Sequence, residues 1–140
     1  MYDLCLFVNP QRYEYAKNLL GDEFDKIKKL ITSNVKNKSE NEYIINFNNV
    51  ARKGFKHFDN AVILGLSIMD YLEKNNITLA GFDGFKNKYN ESYADEFLPT
   101  LNPENKWDEL NEEIKELFKD YKKRAKITKD IKFLTESIFE

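Results

Sequence analysis

Apolar positions in this chain fall into short continuous runs and stepped stripes, separated by polar stretches. Leu4 to Val8 reads LCLFV, a run of strand length that stops at Asn9-Pro10. Continuous short apolar runs are the pattern of strands buried on both faces. Lys29 to Ser33 (KLITS), Tyr43 to Phe47 (YIINF), Ile77 to Phe82 (ITLAGF) and Ile131 to Leu134 (IKFL) predict four more strands. Between them lie helical signals. Asn9 is placed to cap a helix whose first position is Pro10, with Tyr13, Ala16, Leu19 and Leu20 on one face and Gly21 at its end. From Ala61 to Leu72 almost every position is apolar on all sides of a helical wheel, which predicts a covered helix rather than a surface one. Asp59 is its expected N-cap, and Asn75-Asn76 its end. Asn102-Pro103 is expected to open a last helix, striped by Trp107, Leu110, Ile114, Leu117 and Tyr121. Its opposite face alternates Glu and Lys and reads as solvated. Phe24 and Ile27 fall in a short connection, Val35 to Glu42 in a polar loop, and Asn48 to Phe58 in an irregular, moderately basic stretch. Lys86 to Leu101 reads as a long polar and aromatic loop or lid. Strands alternating with helices predict α/β architecture in three layers, α/β/α, around a mostly parallel five-stranded sheet.

Composition narrows this picture. A chain of 140 residues suits one domain, 1–140, and 41% hydrophobic residues suffice for a core. A net charge of −2 gives no basic excess for a nucleic-acid backbone, so nucleic acid is not an expected partner. No apolar run has the length of a membrane span. No segment reads as a signal peptide, and the single Cys5 cannot form a disulfide within the chain; both point to a cytoplasmic protein. The first strand begins directly after Met1-Tyr2-Asp3, which predicts a C-terminal piece of a longer chain.

Candidate chemistry gathers at strand ends. In a parallel sheet Asn9, Asn34, Asn48 and Asp83 would share the rim at the carboxyl ends, where open α/β sheets place ligands. Their amides could read the hydroxyls or base of a sugar or nucleotide, and Tyr89 and Tyr93 of the following segment could close over it. Each Asn also has a purely structural explanation, as a cap or turn residue. Asp59 at a helix start would repel a phosphate. His57, the only histidine, reads as a surface or capping residue. No metal-ligand spacing, dinucleotide loop or P-loop occurs, and no catalytic set can be assembled.

Several stretches together resemble the bacterial CMP-sialic acid sialyltransferases of the Campylobacter type and the Rossmann-like group around them. The resemblance lies in LFVNPQRYEYAKN, LITSN, DNAVILGLSIMDYLEKNNITLAGFDGF and the strand and tail from Lys129 to Ile138. It spans nearly the whole chain and implies a Rossmann-like fold. Asn9 matches an Asn that contacts the donor nucleotide, and Tyr93 a lid tyrosine on the donor phosphate. The other lid tyrosine falls at Phe85, the phosphate-binding helix start falls at Phe58-Asp59-Asn60, and the family's catalytic histidine and Gly-rich loop have no counterpart.

ITLAGFDGF and IKFLTES also resemble the C-terminal region of aldolase-like bacterial proteins, similar to 4-hydroxy-2-oxovalerate aldolase or hydroxymethylglutaryl-CoA lyase. That resemblance implies an accessory domain without catalytic residues, metal or cofactor of its own. Its partner would be an N-terminal aldolase barrel of the same chain, and any divalent metal would sit in that barrel. The expected function is therefore an accessory aldolase domain binding a sugar or nucleotide-like ligand. A glycosyltransferase using a nucleotide sugar and a structural oligomerisation module are the alternatives.

Overall fold

The computed structural model describes residues 4–36, 39–85, 106–128 and 130–140. Strand β1 (Cys5–Phe7) leads into helix α1 (Pro10–Leu20) and a second short helix, α2 (Asp22–Lys26). Strands β2 (Lys29–Thr32) and β3 (Glu42–Ile45) follow, then a one-turn helix α3 (Phe47–Val50) and the apolar helix α4 (Ala61–Tyr71). Strand β4 (Ile77–Leu79), the long helix α5 (Trp107–Arg124) and strand β5 (Ile131–Phe133) complete the described elements. The predicted opening of α5 at Asn102-Pro103 lies outside the described residues. No helix among those described is long and apolar enough to cross a membrane.

All strand pairs are parallel, as the alternation of elements predicts, but the five strands do not form one ladder. β1, β2 and β3 make a three-stranded sheet, with Phe7 opposite Ile31 and Ile31 opposite Ile44. β4 and β5 form a separate pair, with Leu79 opposite Phe133. The expected single five-stranded sheet is thus replaced by sheets of three and two strands. Strands of three or four residues supply few ladder bonds, so side-chain packing rather than backbone pairing joins the halves. Helix α4 does this. Its Ile63 and Leu66 enter a core with Trp107, Leu110, Ile114, Leu117, Phe118 and Tyr121 of α5. Its Leu64 and Ile68 enter a second core with Val8 and Val50, against Leu6 and Leu30. Gly65 lets the helix come close to β1: a Cβ there would stand 3.4 Å from Leu6.

The opposite face of the three-stranded sheet carries a third core, built from Tyr13, Phe24, Ile31 and Val35. Two polar devices are buried in it. The Tyr13 hydroxyl donates to Glu42 Oε1, and burial with that carboxylate pushes its pKa up to about 12. Lys29 is fully buried and donates to the carbonyls of Phe24 (2.7 Å) and Ile27 (2.8 Å), at the carboxyl end of α2. A cation is favoured there because unpaired helix carbonyls carry partial negative charge.

Several boundaries depart from expectation; the fourth strand, expected to reach Phe82, stops at Leu79. Phe24 sits in a helix, α2, not in a connection; three acidic residues in its first turn favour that start. The third strand stops at Ile45, because Asn46 Oδ1 accepts the Asn48 amide and caps α3. Helix α4 is capped by Asn60, not Asp59: Asn60 Oδ1 accepts the amides of Val62 (3.1 Å) and Ile63 (3.2 Å). Asp59 is left one residue outside the helix and exposed.

Candidate functional site

A cleft of about 440 Å³ opens where β1 ends and α4 begins. Val8, Asn9 and Arg12 form one wall, Lys56, His57 and Asp59 to Ala61 another, and Phe85, Leu110 and Ile114 an apolar third. The local sequence builds each wall. Asn9 Oδ1 caps α1 by accepting the amides of Gln11 (2.9 Å) and Arg12 (3.2 Å). That orientation leaves its Nδ2 with no partner among the described residues. Arg12, in the same first turn, has its Nη1 enclosed and likewise without a hydrogen-bond partner. The 56–57 segment is pinned by Glu113 of α5, whose Oε1 accepts the amides of Lys56 and His57. Glu113 Oε2 lies 3.4 Å from His57 Nε2, so the single histidine faces a carboxylate at the cleft edge.

The third wall is fixed by Asn111. Its Oδ1 accepts the Phe85 amide (2.8 Å) and its Nδ2 donates to the Phe85 carbonyl (2.8 Å). The Phe85 ring stacks on Trp107 at 5.2 Å. Gly84 has φ 104°, and a Cβ there would meet Ile138 at 2.5 Å. Only glycine therefore fits where the chain turns into this wall.

The predicted rim residues do not converge on one place. Asn9 lines the cleft. Asn34 stands beside it, its Nδ2 donating to the Val8 carbonyl (2.9 Å), and so ties the β2 end to the β1 end. Asn48 lines a different cleft, at the far end of α4. Asp83 Oδ1 accepts the Thr135 hydroxyl (2.6 Å), which clasps the β4 end to the chain after β5. Tyr89 and Tyr93 lie outside the described residues. Arg12, Lys56 and Asn111 went unnoticed in the pattern of apolar runs. For Arg12 a signal existed: it falls in the first turn beside Asn9, at the same sheet edge.

Donors dominate the cleft. Asn9, Arg12 and Lys56 line it, together with one exposed carboxylate, Asp59. With neutral Asn60 as the cap of α4, the expected conflict between a capping carboxylate and an anionic ligand does not arise. No serine, threonine or cysteine stands among the described lining residues to act as a nucleophile beside His57. No group of three or more His, Cys, Asp or Glu among the described residues is arranged to hold a metal ion. Comparison with protein-family models, curated proteins and solved structures finds no match.

Proposed function

We propose that this chain is a ligand-binding accessory α/β domain whose β1 cleft takes a sugar or nucleotide-like molecule with an acceptor-rich or anionic group. The observation that carries this reading is the set of donors left unpaired around one concavity: Asn9 Nδ2 and the enclosed Arg12 Nη1, with the Lys56 ammonium beside them. A buried donor without a partner destabilises the protein by about 1–3 kcal/mol, and a ligand acceptor toward which the Arg12 guanidinium turns would remove that penalty. The apolar wall of Phe85, Leu110 and Ile114 suits the face of a sugar or base. The resemblance of ITLAGFDGF and IKFLTES to aldolase-like proteins supports placing such a domain beside an aldolase barrel, where it would hold or deliver a ligand while the barrel does the chemistry.

Titration of the labelled chain with nucleotides, sugars, sugar phosphates and nucleotide sugars tests this by amide chemical shifts. Perturbations should centre on residues 8–12, 56–61 and 85. Lys56→Glu should weaken binding by roughly tenfold. Shifts that avoid this cleft for every compound would reject the reading. A second reading, transfer from a nucleotide sugar by this chain alone, draws on His57 and Glu113 at the cleft edge. Release of CMP from CMP-sialic acid, lost in His57→Gln, would put it first.

A further inference from the structure

The second cleft, about 690 Å³, lies at the other end of α4. Its walls come from the segment after α3, the last turns of α4, and the carboxyl end of α5. Four cations line it, Arg52, Lys53, Arg124 and Lys126, against two lining carboxylates, Asp70 and Glu73, and a third behind them, Asp120, which pairs with Arg124 at 2.9 Å. This local excess of positive charge stands in a chain whose net charge is −2. Asp70 is already engaged: its carboxylate accepts the amides of Lys126 (3.0 Å), Ile127 (2.7 Å) and Thr128 (2.9 Å). Cations near helix carboxyl ends are ordinary, and Arg124 in the last turn of α5 fits that account.

Arg52 is less easily explained that way. Its side chain is only 15% exposed, and its guanidinium lies over the Tyr121 ring at 5.0 Å. The Asp120 carboxylate stands 3.6 Å from Nη1, close enough for charge but too far for a hydrogen bond. The enclosed Arg52 Nε and Asp120 Oδ2 both lack a hydrogen-bond partner. A largely buried guanidinium without hydrogen bonds among the described residues is an unusual arrangement, because buried charges are as a rule both paired and hydrogen-bonded. Its planar fork matches the oxygens of a phosphate group. Around it stand the exposed ammoniums of Lys53 and Lys126 and the side-chain amides of Asn48 and Asn49, none with a partner among the described residues.

We propose that this cleft is a second binding site, for the phosphate group of a small metabolite. Arg52 forms its floor, and Lys53, Lys126 and the Asp120-paired Arg124 its rim. The volume suits a small molecule rather than a polymer. The exposed Tyr71 ring at the edge could carry the organic part of a phosphate ester. The inference is independent of the β1 cleft, since the two share no lining residue.

The test is a titration of the full chain with inorganic pyrophosphate, followed by amide shifts and calorimetry at constant ionic strength. Saturable binding is expected, with shifts confined to residues 48–53, 67–73 and 124–127. The double variant Lys53→Glu/Lys126→Glu changes only exposed side chains and should weaken binding by roughly tenfold or more while leaving the rest of the spectrum in place. Adenosine diphosphate and glucose 1-phosphate in parallel identify the source. Equal affinities mean that the phosphate itself is read. Tighter binding of the nucleotide, lost in Tyr71→Ala, means that a base is read as well. Either result supports the site. Absence of saturable binding, shifts confined to the β1 cleft, or affinity unchanged in the double variant would overturn it.

Discussion

The two halves of this domain meet on α4 and are held by different means. The half with β1, β2 and β3 covers its central strand on both faces. Leu30 packs toward α4 while Ile31 packs toward α1 and α2. Among the described residues, the half with β4 and β5 covers one face only. Ile77, Leu79, Ile131 and Phe133 pack against α5, while Thr78 and Lys132 between them are exposed. The first half buries ionisable groups to fasten its core: Tyr13 on Glu42, and Lys29 on the carbonyls of Phe24 and Ile27. The second has the larger apolar core, with the buried Tyr121 hydroxyl donating to the carbonyls of Leu66 and Thr128, and polar clamps at its margin, among them Asp70 on three successive amides. Small strands therefore suffice where helices supply the packing.

The largest effects should come from α4, which serves both halves. Leu64→Ala empties space on the β1 side and Leu66→Ala on the α5 side, both positions almost fully buried. Each should cost about 2–5 kcal/mol. Because one helix completes both cores, each variant should lower a single common unfolding transition. Two separate transitions in denaturant melts, only one of them moved by each variant, would show that the halves fold independently and break the comparison as drawn.

Two of the polar fasteners, Asp70 and Tyr13, should have opposite pH sensitivities. Burial raises the pKa of Asp70, but the amides of Thr128, Ile127 and Lys126, with Arg52 nearby, outweigh it and hold the carboxyl below its ordinary range. Its contribution is present above the unfolded value, about pH 4, and is lost as pH falls through the lowered native value. Tyr13 behaves in reverse. Its native pKa, raised to about 12, gives stability that is complete below the unfolded value and lost as pH climbs toward the native one. That window runs from about pH 10 to 12, and the loss across it is on the order of 2 kcal/mol. Asp70→Asn should flatten the acid limb of a stability profile, and Tyr13→Phe the alkaline limb. Each variant should cost about 1–2 kcal/mol near neutral pH. An unchanged profile in either would mean that its fastener is not formed in solution.

Much of this fold is legible in the chain because apolar spacing reports burial directly. Every stripe residue from Trp107 to Tyr121 is buried, and Asn9-Pro10 opens α1 as read. What escaped reading follows from short range. Helix α2 has one inward residue, Phe24, and α3 two, Phe47 and Val50, too few to show a period. Asp59 and Asn60 cap equally well by type, and only the direction in which Ile63, Leu64 and Ile68 must point decides between them. The candidate site was half legible. Asn9 could be placed from a strand end, but Arg12, Lys56 and Arg52 could not, because a cation on a polar stretch looks the same whether it faces open water or a concavity.

The smallest expected effect tests the face of the two-stranded sheet that the described residues leave uncovered. Parallel sheets are usually covered on both faces, so an exposed face invites the question of whether something lies on it in solution. Thr78 stands opposite Lys132 in the parallel register, and both side chains are exposed. Thr32, in β2, is fully buried, with its hydroxyl 3.4 Å from the Phe7 carbonyl. If the faces differ as described, Thr78→Ala should change stability by less than about 0.5 kcal/mol, as exposed substitutions do, whereas Thr32→Ala should cost about 1 kcal/mol or more. The pair controls for residue type, because the same atoms are removed from strands in the two sheets. A cost at Thr78 equal to that at Thr32, and dependent on protein concentration, would mean that a second copy covers this face. Equal cost without concentration dependence would mean that the chain itself covers it, and the contrast between the two sheets would then vanish.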